Sequence, residues 1–180
     1  MHSVSIIGAS GYSGQETLDR VLGHPELSVA ALGSDTNAGK PAGALDPRLA
    51  HAEALPAFVT NAEALATPAD VVFLCQGHET AAQLEPPEEG VVVDLSGAHR
   101  LDDPGLYEQW YGFSHPHPAA LGDWSYAVPE LSPPSGRLIA NPGCYAIATI
   151  LALAPLAGAI DTRSVVVDAK SGVSGAGRAL

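Results

Sequence analysis

The chain has 180 residues, and 8 Lys plus Arg against 20 Asp plus Glu give a formal net charge of −12 with histidine neutral. With 46% apolar and only 16% charged residues, it has the material for a core that folds without staples, which argues against disorder and against a disulfide scaffold. The acidic balance argues against nucleic acid or an anionic membrane surface as the main partner, since both require a basic face.

Two cysteines, Cys75 and Cys144, lie far apart and fit a reducing compartment better than a disulfide framework. Neither a basic, apolar leader nor a run of membrane-spanning length is visible, so the expectation is a soluble cytoplasmic protein.

Residues 4–7 form a short β-rich run ending in glycine, and Leu18, Val21 and Leu22 follow a glycine-rich stretch at helical spacing. Residues 27–32 are apolar again, after Pro25 has stopped the helix. Strand, helix and strand in this order make a βαβ unit with a right-handed crossover. Residues 33–56 read as loop, with one short strand near residues 57–59. Val71-Val72-Phe73-Leu74 and Val91-Val92-Val93 read as parallel strands buried on both faces. The loops after them, Gln76-Gly77-His78 and Asp94-Leu95-Ser96-Gly97, fall where open α/β sheets hold ligands.

The stretch from 101 to 134 is irregular, and the tryptophans Trp110 and Trp124 mark it as an ordered excursion rather than a linker. Leu138-Ile139-Ala140 reads as the last strand of the first sheet. Residues 146–156 are apolar nearly all round, the pattern of a buried helix, and Val165-Val166-Val167 begins a further buried strand.

Gly8-Ala9-Ser10-Gly11-Tyr12-Ser13-Gly14 stands between a strand and a helix. Glycines there let the backbone approach a pyrophosphate, and the helix N-terminus offers unpaired N–H groups to the anion. Asp35 lies about twenty residues further on, where an acid accepts hydrogen bonds from a free ribose 2′-hydroxyl and favours NAD. Ser34 and Lys40 pull the other way, because a hydroxyl and an ammonium hold a 2′-phosphate. Asp35 pointing to solvent is an equal alternative.

Asn141-Pro142-Gly143-Cys144-Tyr145 puts a thiol where a strand gives way to an apolar helix. Helix N-termini favour thiolate over thiol, and a thiolate can attack an activated acyl group to form a thioester. Cys75, inside a core strand, reads as a small hydrophobe.

With these features in place, the sequence resembles the N-acetyl-γ-glutamyl-phosphate reductases over nearly its whole length. The resemblance is carried by the glycine loop, Asn37-Ala38-Gly39-Lys40, Asp94-Leu95-Ser96-Gly97-Ala98-His99-Arg100, Tyr111-Gly112-Phe113, Pro129-Glu130-Leu131, the Cys144 motif and Ser171-Gly172-Val173-Ser174-Gly175-Ala176-Gly177-Arg178. It implies reduction of N-acetyl-γ-glutamyl phosphate to the semialdehyde in arginine biosynthesis, with Cys144 as nucleophile and NADPH as hydride donor. Gly8, Ser10, Gly11, Tyr12, Ser13, Gly14, Ser34, Lys40, Ser174 and Gly175 are then the cofactor contacts, and Arg100, Glu130 and Arg178 the substrate contacts. Lys170 is a further candidate cation. The partners implied are the acyl phosphate and inorganic phosphate, with a homo-oligomer as the full-length state.

The implied fold is α/β: a Rossmann-like, doubly wound parallel sheet over residues 1–142, then the start of a truncated α+β catalytic unit over residues 143–180. His99 stands where the family commonly has an aromatic, which alters packing, and Asp35 stands where a basic or small residue is frequent, which keeps NAD open beside NADP. The family's later His-Arg-His segment has no match. His115-Pro116-His117 reads as a loop pair rather than a substitute base or metal site. Aspartate-semialdehyde dehydrogenase, a lysine-pathway aminoadipyl-phosphate reductase and a nucleotide-binding module without catalysis are the alternatives.

Overall fold

A computed structural model describes residues 1–49 and 55–176. Within them six strands form one all-parallel sheet: β1 (His2–Ile7), β2 (Leu27–Gly33), β3 (Val71–Leu74), β4 (Val91–Asp94), β5 (Ser125–Tyr126) and β6 (Leu138–Ala140). Their spatial order is β2-β1-β3-β4-β6-β5. The helix α1 (Tyr12–Leu22) connects β1 to β2 and buries Leu18 and Val21, so the expected βαβ unit is present. After β2 the winding reverses and β3 pairs with the other side of β1, which opens a crevice beyond the ends of β1 and β3.

One row of residues runs across the sheet at its carboxyl edge. Gly33 faces Ile7, Ile7 faces Leu74, Leu74 faces Asp94, and Asp94 faces Ala140. Backbone bonds extend the ladder by one step, with the N–H groups of Cys75, Leu95 and Asn141 donating to Ile7, Leu74 and Asp94. The loops beginning at Gly8, Ser34, Cys75, Leu95 and Asn141 therefore leave the sheet side by side.

Val4, Ile6, Leu18, Val21, Leu32 and Phe58 pack as one core cluster, while Ile7, Val72, Leu74, Val92, Trp124 and Leu138 form another. A third, Tyr107, Phe113 and Leu121 with three alanines, lies under the excursion after β4. β1 is buried on both faces, whereas β3 and β4 alternate between buried and half-buried positions, so their continuous apolar runs overstate the cover.

Several elements depart from the sequence expectations. The short helix α2 (Asn61–Ala66) forms in a stretch with no sequence assignment, α3 (His78–Ala82) starts in the loop read at Gln76-Gly77-His78, and α4 (Gly105–Tyr111) and β5 emerge from the irregular stretch. The expected strand near residues 57–59 amounts to two isolated bridges, Gly33 with Val59 and Pro41 with Ala57. Trp124 is in the core as an ordered excursion requires, but Trp110 is 68% exposed. Cys75 lies one residue past β3 rather than within it, though buried as expected.

The largest correction concerns residues after 143. The helix α5 (Cys144–Leu153) forms as its pattern demands, yet none of its residues is buried. A helix apolar on all sides needs cover on all sides. Residues 165–170 line a cavity of about 370 Å³ against one face of α5. The expected strand at Val165-Val166-Val167 is also absent: among the described residues no strand pairs with it, and Val166 is 90% exposed. A strand without a neighbouring ladder has nothing to hold it extended.

Candidate functional site

At the end of β1 the chain turns through Gly8 with φ +79°, and a Cβ there would come 2.8 Å from the Cys75 carbonyl oxygen. Glycine is required on both counts. Gly14 meets a second limit, since its Cβ would lie 2.4 Å from the Gly8 carbonyl oxygen. The first turn of α1 is thereby seated directly on the loop. Gly11 is the N-cap, with no side-chain cap and no acidic residue in the first turn, so an anion meets the positive helix end unopposed. Ser13 donates to the Cys75 carbonyl at 3.5 Å, Tyr12 is exposed, and buried Gln15 donates to the Ala9 carbonyl at 2.8 Å.

Past β2, Ser34 is buried and its Oγ lies 2.7 Å from the Ser10 Oγ. Asn37 Nδ2 donates to Ser34 Oγ at 3.3 Å, and Lys40 Nζ donates to Asn37 Oδ1 at 3.1 Å. Hydroxyls, amide and ammonium thus form one chain of donors beside the loop. The Asp35 carboxylate is engaged by Asn61: it accepts from the Asn61 N–H at 2.8 Å and from Asn61 Nδ2 at 2.7 Å. Asn61 Oδ1 in turn accepts from the Gly8 N–H at 2.9 Å.

These residues line a crevice of about 280 Å³, with Gly8, Ser10 and Gly11 on one wall, Ser34, Asp35 and Asn61 on another, and Gln76 and Gly77 at the end of β3. Gln76 Oε1 is buried there without a hydrogen bond. Cys75 also lines the crevice, and burial pushes its thiol up to about 12, against a smaller opposite pull from the Thr17 hydroxyl, so this sulfur stays neutral.

Two strands further along, Asp94 is fully buried and accepts from the Ser96 N–H at 2.7 Å, from Ser96 Oγ at 2.9 Å and pairs with His99 Nδ1 at 2.7 Å. His99 stacks on Trp124 with centroids 3.7 Å apart, so it packs as an aromatic and also serves the carboxylate. Arg100 Nε donates to the Asn141 carbonyl at 2.8 Å and Nη2 to the Leu95 carbonyl at 2.9 Å. Its Nη1 lies 3.0 Å from where a Gly143 Cβ would be, so the guanidinium sits beside the residue preceding Cys144. Cys144 is the exposed first residue of α5, with Gly143 as an extended N-cap that makes no side-chain bond.

His78, at the start of α3, accepts the Gly97 N–H on Nδ1 at 2.8 Å and meets Tyr111 edge-on. Burial, and then the nearby Arg100 charge, hold its pKa below the ordinary histidine value. A ring accepting through Nδ1 carries its proton on Nε2 when neutral.

The structure thus gathers Gly8, Ser10, Gly11 and Ser34 at one crevice, with Tyr12, Ser13, Gly14 and Lys40 around it, and Arg100 beside the Cys144 helix start. Glu130 is exposed in the turn after β5. Ser174 and Gly175 are exposed in a 3-10 turn, Val173–Ala176, and do not line the crevice. Lys170 pairs with Asp168 at the surface, and Arg178 lies outside the described residues. Thr36, Asn61 and Thr80 are crevice residues that sequence reasoning missed; for Asn61 the sequence signal is the Thr60–Glu63 capping box around it.

Over residues 3–137 the chain matches the family described as semialdehyde dehydrogenase, NAD binding domain, and over residues 144–180 the one described as semialdehyde dehydrogenase, dimerisation domain. It is 42% identical to the N-acetyl-gamma-glutamyl-phosphate reductase of Acidothermus cellulolyticus, across 98% of this chain and 52% of that protein. It is 38% identical to a putative LysW-L-2-aminoadipate/LysW-L-glutamate phosphate reductase of Cenarchaeum symbiosum, across 97% of this chain and 52% of that protein. The chain spans about half the length of the curated relatives it matches. Aspartate semialdehyde dehydrogenase of Candida albicans, solved with NADP, has a TM-score of 0.51 at 19% identity, over 88% of this chain and 47% of that one, and so shares the fold. No helix among the described residues is long and apolar enough to cross a membrane. On the match over residues 3–137, the chain belongs to the semialdehyde dehydrogenase family and carries its NAD-binding domain.

Proposed function

We propose that this chain is the cofactor-binding part of an enzyme that reduces N-acetyl-γ-glutamyl phosphate to N-acetylglutamate 5-semialdehyde with NADPH, in the arginine pathway of the cytoplasm. Residues 1–142 form the dinucleotide unit and residues 143–180 open the catalytic unit of a homo-oligomer. One observation carries the reading: the glycine crevice and the exposed Cys144 open at the same carboxyl edge of one sheet. The buried, unbonded Gln76 Oε1 in the crevice wall is an acceptor for a ligand donor, and a Cβ at Gly14 would disrupt the seat of the loop, so the residues present fit a dinucleotide.

In this reading Gly8, Ser10, Gly11, Tyr12, Ser13 and Gly14 hold the pyrophosphate, and Ser34 and Lys40, with Asn37, hold a 2′-phosphate. Ser174 and Gly175 would supply the nicotinamide contacts. When bound, the nicotinamide would supply the hydride for the thioester carbon, the C–S bond breaking to give the aldehyde and return the Cys144 thiolate. Cys144 Sγ attacks the acyl carbon, the bond from that carbon to the phosphate oxygen breaks, and inorganic phosphate leaves with the electron pair. Arg100, fixed through two of its N–H groups to backbone carbonyls, keeps others to meet the phosphate or carboxylate in a chain otherwise poor in cations. Glu130 and Arg178 complete the substrate contacts.

The test is steady-state oxidation of N-acetylglutamate semialdehyde with phosphate and NADP. Phosphate-dependent formation of reduced nicotinamide, abolished by Cys144→Ser, is the expected result. Nucleotide binding without turnover by the enzyme that carries this chain overturns it in favour of a binding module. The Cenarchaeum relative makes a longer aminoadipate substrate a specific second reading. Faster turnover of the semialdehyde with one more methylene would select it.

A further inference from the structure

We propose that Asn61 determines the dinucleotide preference of the crevice by clamping Asp35, so that a 2′-phosphate is admitted despite an acid in its wall. The proposal rests on the dinucleotide reading above. An acidic side chain at the end of the second strand ordinarily accepts from the ribose hydroxyls and repels a 2′-phosphate. Here each carboxylate oxygen of Asp35 accepts one bond from Asn61, Oδ1 from its N–H at 2.8 Å and Oδ2 from its Nδ2 at 2.7 Å, which orients the carboxylate toward α2 and leaves it about two of its four acceptor positions.

The amide can adopt only one orientation. Its Oδ1 accepts the Gly8 N–H at 2.9 Å, and a flipped amide would set donor against donor at Gly8 and oxygen against carboxylate at Asp35. Asn61 is itself fixed. The Thr60–Glu63 capping box starts α2 at this residue, and a Cβ on Gly33 would come 2.8 Å from Asn61 Oδ1. With Asp35 held toward α2, the hydroxyls of Ser10, Ser34 and Thr36 line the crevice, and Asn37 and Lys40 back them through the bonds to Ser34 Oγ and Asn37 Oδ1.

Asn61 has two arms with separable effects. The Gly8 arm shapes the loop for any dinucleotide, whereas the Asp35 arm matters only where a 2′-phosphate is present. The experiment is a double-mutant cycle. Dissociation constants for NADPH and NADH are measured by nicotinamide fluorescence on the wild-type chain, Asn61→Ala, Asp35→Ala and the double variant, and read as the NADPH/NADH ratio. Loss of folded protein weakens both ligands alike and leaves that ratio unchanged.

Wild type should prefer NADPH, and Asn61→Ala should reduce that preference by about tenfold, the weight of one hydrogen bond to a charged group. Asp35→Ala should move the ratio by less than about twofold in the wild-type background yet restore NADPH preference in the Asn61→Ala background. An unchanged ratio in Asn61→Ala with both nucleotides bound at wild-type affinity, a large gain from Asp35→Ala alone, or a wild-type preference for NADH overturns the proposal while the dinucleotide reading stands. Binding of neither nucleotide refutes the reading itself, and the proposal with it.

Discussion

Arg100 donates from Nε to the carbonyl oxygen of Asn141 at 2.8 Å, so one guanidinium stitches the loop leaving β4 to the loop that leads into Cys144. The contact spans 41 residues of sequence and joins two neighbouring strand ends. It places a permanent cation beside the thiol helix without a carboxylate partner among the described residues.

Arg100→Lys keeps the charge but loses the planar fork that reaches Asn141 and Leu95 together. We expect kcat/KM for the acyl phosphate to fall about 10²-fold, with a smaller loss of dinucleotide affinity. Equal losses in both would mean that Arg100 only supports the fold.

The glycine loop offers a contrast between two neighbouring positions. Gly14→Ala drives a methyl against the Gly8 carbonyl, which should cost about 2 kcal/mol of stability and weaken dinucleotide binding. At Gly11 the nearest atom is 3.4 Å away, an ordinary contact, so Gly11→Ala should leave the melting temperature nearly unchanged while still obstructing the pyrophosphate. Thermal unfolding and nucleotide titration on both variants check this pair.

The two thiols should behave oppositely. Iodoacetamide should label exposed Cys144 in the folded chain and reach Cys75 only after denaturation, as peptide mapping would show. Burial also makes Cys75 a source of alkaline instability. Its folded value, about 12, exceeds the ordinary 9, so its contribution is complete below pH 9 and is lost as pH rises from 9 toward 12. Denaturant midpoints across that window should fall more steeply in the wild type than in Cys75→Ala.

On the acid side the group to watch is His115. Burial first, and then the neighbouring His99, hold its pKa below the ordinary 6.5, and its ring packs 4.9 Å from Tyr107. The unfolded chain takes up the proton first, so this contribution is complete above pH 6.5 and is lost as pH falls through the depressed folded value. His115→Phe should flatten that acid slope in denaturant midpoints; an unchanged slope would contradict it.

Sequence made some of this architecture visible and hid the rest for physical reasons. Val71-Val72-Phe73-Leu74 has one reading because a short run of β-branched and bulky apolar residues packs best as a strand. The glycine loop is equally plain, since Gly8 and Gly14 answer constraints within a few residues of each other. β5 was invisible: Ser125 and Tyr126 are a strand only because β6 offers its edge. In α5 the pattern states that cover is needed and is silent on what supplies it. Asn61 was equally hidden, because its partners Asp35 and Gly8 lie 26 and 53 residues away.

The most direct test of the account is mass spectrometry of the chain incubated with N-acetyl-γ-glutamyl phosphate in the absence of nicotinamide. Capture of one acyl group on Cys144, with release of one equivalent of phosphate and no adduct in Cys144→Ser, is the predicted result. An unmodified Cys144, or an adduct on another side chain, would contradict it.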